Sequence, residues 1–232
     1  LVASSAQTRV GLPLHPRAVR VTSIEQHLRI LRGDGILLDH AARRQWIEQT
    51  IMRLAKSSGA RPAPEMVSYG LLDEVTFLTE RPTPLVGSFD RTYLQLPREV
   101  LLASMAKYQR VFAVESSGTL RPQFIAMLDG QPKRLPQVRR VFERILNARL
   151  ADSLVFWNDD HAQLPLERMA AGLSGVTVHE RLGSMADKTL RLRTLSEPLA
   201  DAWQLSEEEC SHLRKACHLA KADLVSTMVK EF

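Results

Sequence analysis

Cysteine is nearly absent from the 232-residue sequence, which contains only Cys210 and Cys217, and no apolar run approaches the length of a membrane span. Two thiols cannot form the disulfide network of a small secreted scaffold, and so low a content is typical of a reducing compartment. A membrane-spanning helix needs about 18 or more consecutive apolar residues. We therefore predict a cytoplasmic protein with no membrane contact.

The first residues also lack a signal sequence. They begin with Leu1 rather than Met and show no charged stretch followed by an apolar one. The last four residues, 229–232, fall inside a helical pattern. We therefore expect an internal fragment of a longer protein.

Motifs that carry common enzyme chemistry are missing too. The sequence has no glycine-rich phosphate loop, no HExxH, no paired CxxC and no GxSxG. Cys210 and Cys217 are seven residues apart, about 10 Å along one helix, which is too far for two ligands of one zinc ion. Asp159 and Asp160 are adjacent carboxylates, which more often lie in solvent or cap a helix than bind a cation. We predict no catalytic residue, metal site or cofactor on this chain.

Positive charge is concentrated in one segment. Lys and Arg exceed Asp and Glu by five over the whole chain. Residues 131–150 hold one acid, Glu143, and six cations: Lys133, Arg134, Arg139, Arg140, Arg144 and Arg149. This segment accounts for the whole excess and leaves the remainder neutral. Such a pattern indicates contact with a polyanion, most simply nucleic acid; the alternatives are a solvated helix face or arginines paired with carboxylates elsewhere in the fold.

The first third of the chain reads as helices and short strands. Ser23 and Asp39 should cap two helices, because each precedes apolar residues at helical spacing. The run 36–38 predicts a short buried strand. On the second helix, Arg43 should face water. A further helix is predicted from Pro64 to Leu78.

Residues 84–89 predict a strand, and 110–114 with 124–128 predict a hairpin with a longer loop. After Gly130 the pattern becomes helical. Its apolar stripe should pack inward and turn Arg140 and Arg144 toward solvent; the stripe consists of Val138, Phe142, Ile145 and Leu146.

No strand is predicted after residue 150, and helices are expected over 164–173, 183–205 and 206–232. The predicted fold class is therefore α+β, with a mixed α/β domain over 1–160 and an all-α region over 161–232.

Nine segments resemble the β subunit of bacterial two-subunit glycyl-tRNA synthetases. They are LLDEV at 71–75, PLVGSFD at 84–90, LQLPREVL at 94–101, MAKYQRVFAV at 105–114, LRPQFI at 120–125, ERILNARLADS at 143–153, FWNDD at 156–160, ERLGSMADK at 180–188 and AKADLVSTMVKEF at 220–232. Colinear matches of this length are far more specific than a short motif. The similarity covers nearly the whole chain and is weakest before Ser58.

The resemblance implies an α2β2 enzyme whose α subunit holds the class II site for glycine and ATP with Mg²⁺. The β subunit would supply tRNA-binding domains. Residues 1–160 would be an editing-like domain similar to that of phenylalanyl-tRNA synthetase β chains, and 161–232 the start of an HD-like helical domain. The implied partners are tRNA(Gly), the α subunit and a second β subunit.

The sequence departs from the family pattern at several points. Val141 and Phe142 replace a Gly-Asn pair before Glu143, and Ala113 replaces a proline. Ala222 precedes Asp223, where a metal-dependent HD phosphohydrolase has histidine, so a metal ligand is missing.

Three functions are compatible with these residues. The first is a tRNA-binding and positioning region that supports glycylation by the α subunit, with the six cations on phosphates. The second is a subunit-assembly module without RNA contact. The third is a degenerate HD-type or editing-like hydrolase.

Overall fold

In the computed structural model, residues 7–10, 17–163 and 165–231 are described, without the side chains of 7–10, 17, 18 and 67. The chain folds into two compact units, Leu1–Ala151 and Asp152–Phe232. The identities of the two predicted domains, and their boundary at residue 160, stay predictions.

The first unit begins with a small hairpin and two helices. Strands β1 (Gln7–Val10) and β2 (Arg17–Arg20) pair antiparallel and precede α1 (Ile24–Gly33) and α2 (His40–Ser57). The side chains of Ser23 and Asp39 accept hydrogen bonds from the first turns of the helices that follow, so both predicted caps are confirmed.

A four-stranded antiparallel sheet forms the centre of this unit, in the order β3-β5-β6-β4. Its strands are β3 (Arg61–Pro62), β4 (Pro82–Ser88), β5 (Val111–Ser116) and β6 (Thr119–Asp129). Between them lie α3 (Glu65–Ser68), α4 (Leu71–Leu78), a 3-10 turn at Arg91–Gln95, α5 (Arg98–Ala103) and a π-helical turn at Ser104–Tyr108. The buried apolar residues of this unit come mainly from α2, α4, α5, β5 and β6.

The helical region after the sheet starts with α6 (Leu135–Ala162), and the division between the units falls within it. The second unit then contains α7 (Leu166–Ala171), β7 (Thr177–His179), β8 (Gly183–Ser184), α8 (Met185–Ala202), α9 (Glu207–Leu219) and α10 (Thr227–Glu231). Met169, Ala170 and Ala222 form a small core, with Leu219 and Val225 packed against it. Reciprocal capping boxes at Ser184 and Ser206 begin α8 and α9.

Two expectations for the first third of the chain are wrong for a shared reason. Residues 36–38 form no strand, and Arg43 is buried rather than exposed to water. The Arg43 guanidinium donates hydrogen bonds to the backbone carbonyls of Leu37, Leu38 and Thr76. The carbonyls of Leu37 and Leu38, which have no strand neighbour, and that of Thr76, in the last turn of α4, are thereby satisfied by one side chain.

Other element predictions change in detail. The helix predicted over 64–78 is broken at Gly70, whose φ of 65° is left-handed. The hairpin is present, but its turn has only two residues, Ser117 and Gly118, both with positive φ.

The second unit is not purely helical. Strands β7 and β8 form a hairpin, each too short to show alternation in the sequence. The helix predicted over 206–232 is interrupted at Lys221, where φ is 71°. Residues 164 and 232, at the ends of two predicted helices, lie outside the described residues.

Among the described residues, no helix is both long and apolar enough to cross a membrane.

Candidate nucleic-acid interface

The basic segment occupies the turn before α6 and the first four turns of that helix. Lys133 and Arg134 precede the helix, and the carbonyl of Arg134 accepts hydrogen bonds from Gln137 and Val138 as the helix begins. Five of the six predicted cations are exposed, and we call these five the basic surface: Lys133, Arg134, Arg139, Arg140 and Arg144.

The buried side of α6 is set by leucines one turn apart. Leu146 and Leu150 are almost fully inaccessible, whereas Val138 and Phe142 are half-buried. Ile145 is 45% exposed, so its place in the inward stripe was predicted wrongly. Each residue turns the helix by about 100°, and the line through Leu146 and Leu150 leaves Ile145 on the flank. Arg140 and Arg144 lie on the solvent side, as expected.

The opposite flank of α6 is attached to the end of β4. The Glu143 carboxylate accepts hydrogen bonds from the Ser88 backbone N–H at 3.0 Å and from its hydroxyl at 3.2 Å. One turn later, the Asn147 side-chain oxygen accepts from the backbone N–H of Asp90 at 2.8 Å, while its amide donates to the Glu143 carbonyl at 2.7 Å. Two segments 55 residues apart are therefore held together by polar contacts.

This attachment leaves the basic surface electrostatically uncompensated. Glu143, the one acid of the segment, directs its carboxylate at Ser88. No carboxylate in the described ranges forms an ion pair with any of the five cations of the basic surface. The alternative that these cations are paired inside the fold therefore finds no support in this part of the chain. Unpaired exposed cations attract anions most strongly at separations shorter than the Debye length, where salt screens the interaction least.

The sixth predicted cation is placed differently. Arg149 is half-buried, and its guanidinium carbon lies 4.0 Å from the centre of the Tyr108 ring. A guanidinium over an aromatic face is stabilised by the ring quadrupole. Arg149 thus contacts the π-helical turn, and its predicted contact with RNA stays a prediction.

A shallow cavity of about 440 Å³ adjoins the basic surface at Lys133. Its other lining residues are mainly apolar, among them Met127, Val138 and Phe142, with Asp129 as the one acid. The Asp129 carboxylate accepts hydrogen bonds from the backbone N–H groups of Glu80 and Arg81, so the cavity mainly offers shape and apolar contact.

Residues considered for metal binding or catalysis have other surroundings. No group of three or more His, Cys, Asp or Glu side chains that could hold a metal ion is found among the residues described. Cys210 and Cys217 are half-buried free thiols on α9. Asp160 lies inside α6 and is buried, and its carboxylate accepts hydrogen bonds from backbone N–H groups at the start of α10. Its neighbour Asp159 is exposed.

Sequence reasoning missed a charged cluster beside the β5–β6 turn. Glu115 is almost fully buried and contacts two arginines, Arg61 and Arg98, and Arg98 also holds Glu65 through two hydrogen bonds. The arginines keep the pKa of both carboxyls below its usual value. The four residues come from separate segments, so no local pattern indicates the cluster.

Comparison with known proteins gives a consistent result over the full length. A family model described as glycyl-tRNA synthetase beta subunit matches residues 1–232. The chain is 42% identical over 213 residues to the glycine–tRNA ligase beta subunit of Syntrophomonas wolfei, covering 91% of this chain and 30% of that protein. It is 38% identical over 231 residues to that of Clostridioides difficile and 34% over 230 residues to that of Bacillus subtilis, in each case 33% of the relative. The chain thus spans about a third of the length of these curated relatives.

Proposed function

Because this chain belongs to the family of glycyl-tRNA synthetase beta subunits, we propose that it is a tRNA-binding and positioning region of a glycine–tRNA ligase. In this proposal the basic surface contacts phosphates of tRNA(Gly), and the chain contributes binding energy and orientation. Glycylation itself takes place on an α subunit, which binds glycine, ATP and Mg²⁺ within an α2β2 assembly. Residues 1–160 act as the editing-like domain and residues 161–232 as the start of the HD-like region.

The observation that carries the proposal is the exposed basic surface, whose cations have no ion-pair partner among the residues that the structure describes. Arg140 and Arg144 lie one turn apart on the solvent side of α6, about 5–6 Å between their Cβ atoms. Two planar guanidinium groups at this spacing can each hold a phosphate through paired hydrogen bonds. Contacts to phosphates do not read sequence, so the expected role is orientation of the tRNA rather than choice of bases.

The experiment is a tRNA-binding titration of the chain at several salt concentrations. The double variant Arg140→Ala/Arg144→Ala removes two exposed cations and should leave the melting temperature unchanged. We expect weaker binding and a log–log salt slope shallower by about 0.7–0.9 for each lost phosphate contact. Wild-type affinity and slope in this variant would overturn the proposal.

A matched control removes the same charge elsewhere. Arg53 and Lys56 are exposed on α2, and neither forms an ion pair within the described ranges. Arg53→Ala/Lys56→Ala should bind tRNA(Gly) almost as the wild type does. An equal loss in both double variants would indicate a general effect of net charge and would count against a defined surface on α6.

A second candidate, the subunit-assembly module, has one supporting observation. Four large apolar side chains are exposed along one face of α8 and at its C-cap: Leu192, Leu195, Leu199 and Trp203. Exposed apolar patches of this kind mark contacts with other protein surfaces. Sedimentation of the chain with a purified α subunit, in the absence of tRNA, separates this function from RNA binding.

A further inference from the structure

The end of strand β4 is an edge that α6 protects. Within the part of the chain that the structure describes, β4 pairs only with β6, so alternate backbone N–H groups of β4 point away from the sheet. Ser88 has such a group, and it donates to Glu143. Pro82 and Pro84 share the parity of Ser88 and have no N–H to leave unpaired. Val86 shares this parity and keeps its N–H, so the edge is closed only in part, by two prolines and one carboxylate, and its last residue is fixed against α6.

The chain then turns sharply beside the same helix. The Asp90 carboxylate accepts hydrogen bonds from the N–H and hydroxyl of Thr92, at 2.9 and 2.8 Å, and caps the 3-10 turn that begins at Arg91. The Asp90 N–H is held by Asn147, and the turn ends at the buried Leu96. Contacts of Asp90 on one side and the buried Leu96 on the other thus fix the backbone at Arg91. The Arg91 side chain takes no part in these contacts.

Arg91 itself is exposed and has no ion-pair or hydrogen-bond partner among the described residues. Its backbone follows directly on Asp90, so the two Cα atoms are about 3.8 Å apart, as across any trans peptide. Asn147 lies one turn beyond Arg144 and about 20° around the helix from Arg140. The attachment therefore brings the backbone of one more exposed cation, distant in sequence, to the flank of α6 on which Arg140 lies.

We propose that Arg91 is part of the same phosphate-binding surface as Arg140 and Arg144, and that Asn147 positions it through the backbone of Asp90. The ligand is the sugar–phosphate backbone of RNA, and the inference rests on the proposed function. A turn fixed before binding does not have to be ordered on binding, which lowers the entropic cost of the contact. Arginine at this position can hold a phosphate with two hydrogen bonds.

The test uses the variant Arg91→Ala in the tRNA(Gly) titration, with Arg53→Ala as the single-charge control. We expect about a 3- to 10-fold loss of affinity near 0.15 M salt and a salt slope shallower by about 0.7–0.9. Arg91→Lys should keep the wild-type slope, since it keeps the charge. Wild-type binding by Arg91→Ala, alongside weakened binding by Arg140→Ala/Arg144→Ala, would overturn this inference and leave the proposed function intact. If neither variant weakened binding, the proposed function would fail as well.

The positioning role of Asn147 has a separate readout. Asn147→Ala removes no charge, yet it should reduce tRNA affinity because the turn at Arg91 loses its anchor. The same substitution made in the Arg91→Ala background should reduce affinity no further. Equal losses in both backgrounds would show that Asn147 acts on the fold in general and would overturn its positioning role.

Discussion

The Nη2 atom of Arg98 lies 2.5 Å from Oε2 of Glu115, a carboxylate whose side chain is only 2% exposed. The same guanidinium donates to both carboxylate oxygens of Glu65, at 2.7 and 2.8 Å, and to the carbonyl of Gly118 at 3.3 Å. Arg61 contacts the other oxygen of Glu115 at 2.7 Å. One arginine therefore joins α3, α5 and the β5–β6 turn around a buried negative charge.

The first prediction concerns acid stability. Hydrogen bonds from Arg98 hold the pKa of Glu115 and of Glu65 below the ordinary value of 4.5. As the pH falls, these two carboxylates bind protons in the unfolded chain before they do so in the folded protein. The stability that they contribute is therefore fully present above about pH 4.5 and is lost progressively below it. Glu115→Gln cannot titrate here, so its deficit in unfolding free energy relative to wild type should shrink between about pH 7 and about pH 3.5. Urea titrations at several pH values measure this; a deficit that stays constant would contradict it.

The second prediction concerns the charge of Arg98. Arg98→Met keeps most of the side-chain volume but leaves Glu115 with Arg61 alone. We expect a loss of about 3 kcal/mol in the free energy of unfolding, the low end of the range for removal of one member of a buried pair, because Arg61 still contacts Glu115. The control is Arg44→Met, because Arg44 pairs with Asp73 on the surface, where both side chains are about half exposed. Its cost should be much smaller, because an exposed ion pair contributes little to stability. Equal costs in urea denaturation would show that burial of Glu115 adds nothing.

The third prediction concerns Gly87, which precedes Ser88 at the end of β4. A Cβ atom at this position would lie 2.8 Å from Cε1 and 2.9 Å from Cε2 of Phe124, whose side chain is fully buried. Gly87→Ala should therefore destabilise the chain by about 1–3 kcal/mol through overpacking. Gly33→Ala is the control, because no heavy atom lies within 4 Å of its Cβ position. Thermal melts of the two variants should differ clearly; similar melting temperatures would argue that Phe124 moves aside at little cost.

The fourth prediction concerns Asp160. Its two carboxylate oxygens accept hydrogen bonds from the backbone N–H groups of Thr227 and Met228, at 2.7 and 2.8 Å. Asp160→Ala should cost about 1–2 kcal/mol, since two N–H groups at the start of α10 lose their acceptor. Asp159→Ala, at the exposed neighbouring position, should change stability by less than about 0.5 kcal/mol. The opposite order in chemical denaturation would exclude this capping role.

The basic surface itself could be predicted from the amino-acid sequence. Its five cations and the helix that presents them follow from charge density and helical spacing over some twenty residues. The contribution of Arg91, and the contacts of Glu143 and Asn147 that position it, could not be found in this way. They join positions 55 to 57 residues apart, and no periodicity in either segment indicates the other.

Local interactions were therefore determined by the sequence alone. Ser23 and Asp39 begin their helices, and Arg140 and Arg144 face solvent, because a cap or a helical face depends on residues within a few positions. The tertiary structure determined the positions of polar side chains whose hydrogen-bond partners are distant in sequence. Arg43 is drawn inward by three backbone carbonyls, Asp160 by two backbone N–H groups, and Glu143 by the unpaired edge of β4. A buried polar group without a hydrogen-bond partner destabilises the fold. Each of these side chains therefore lies where tertiary packing leaves backbone N–H or carbonyl groups without a backbone partner.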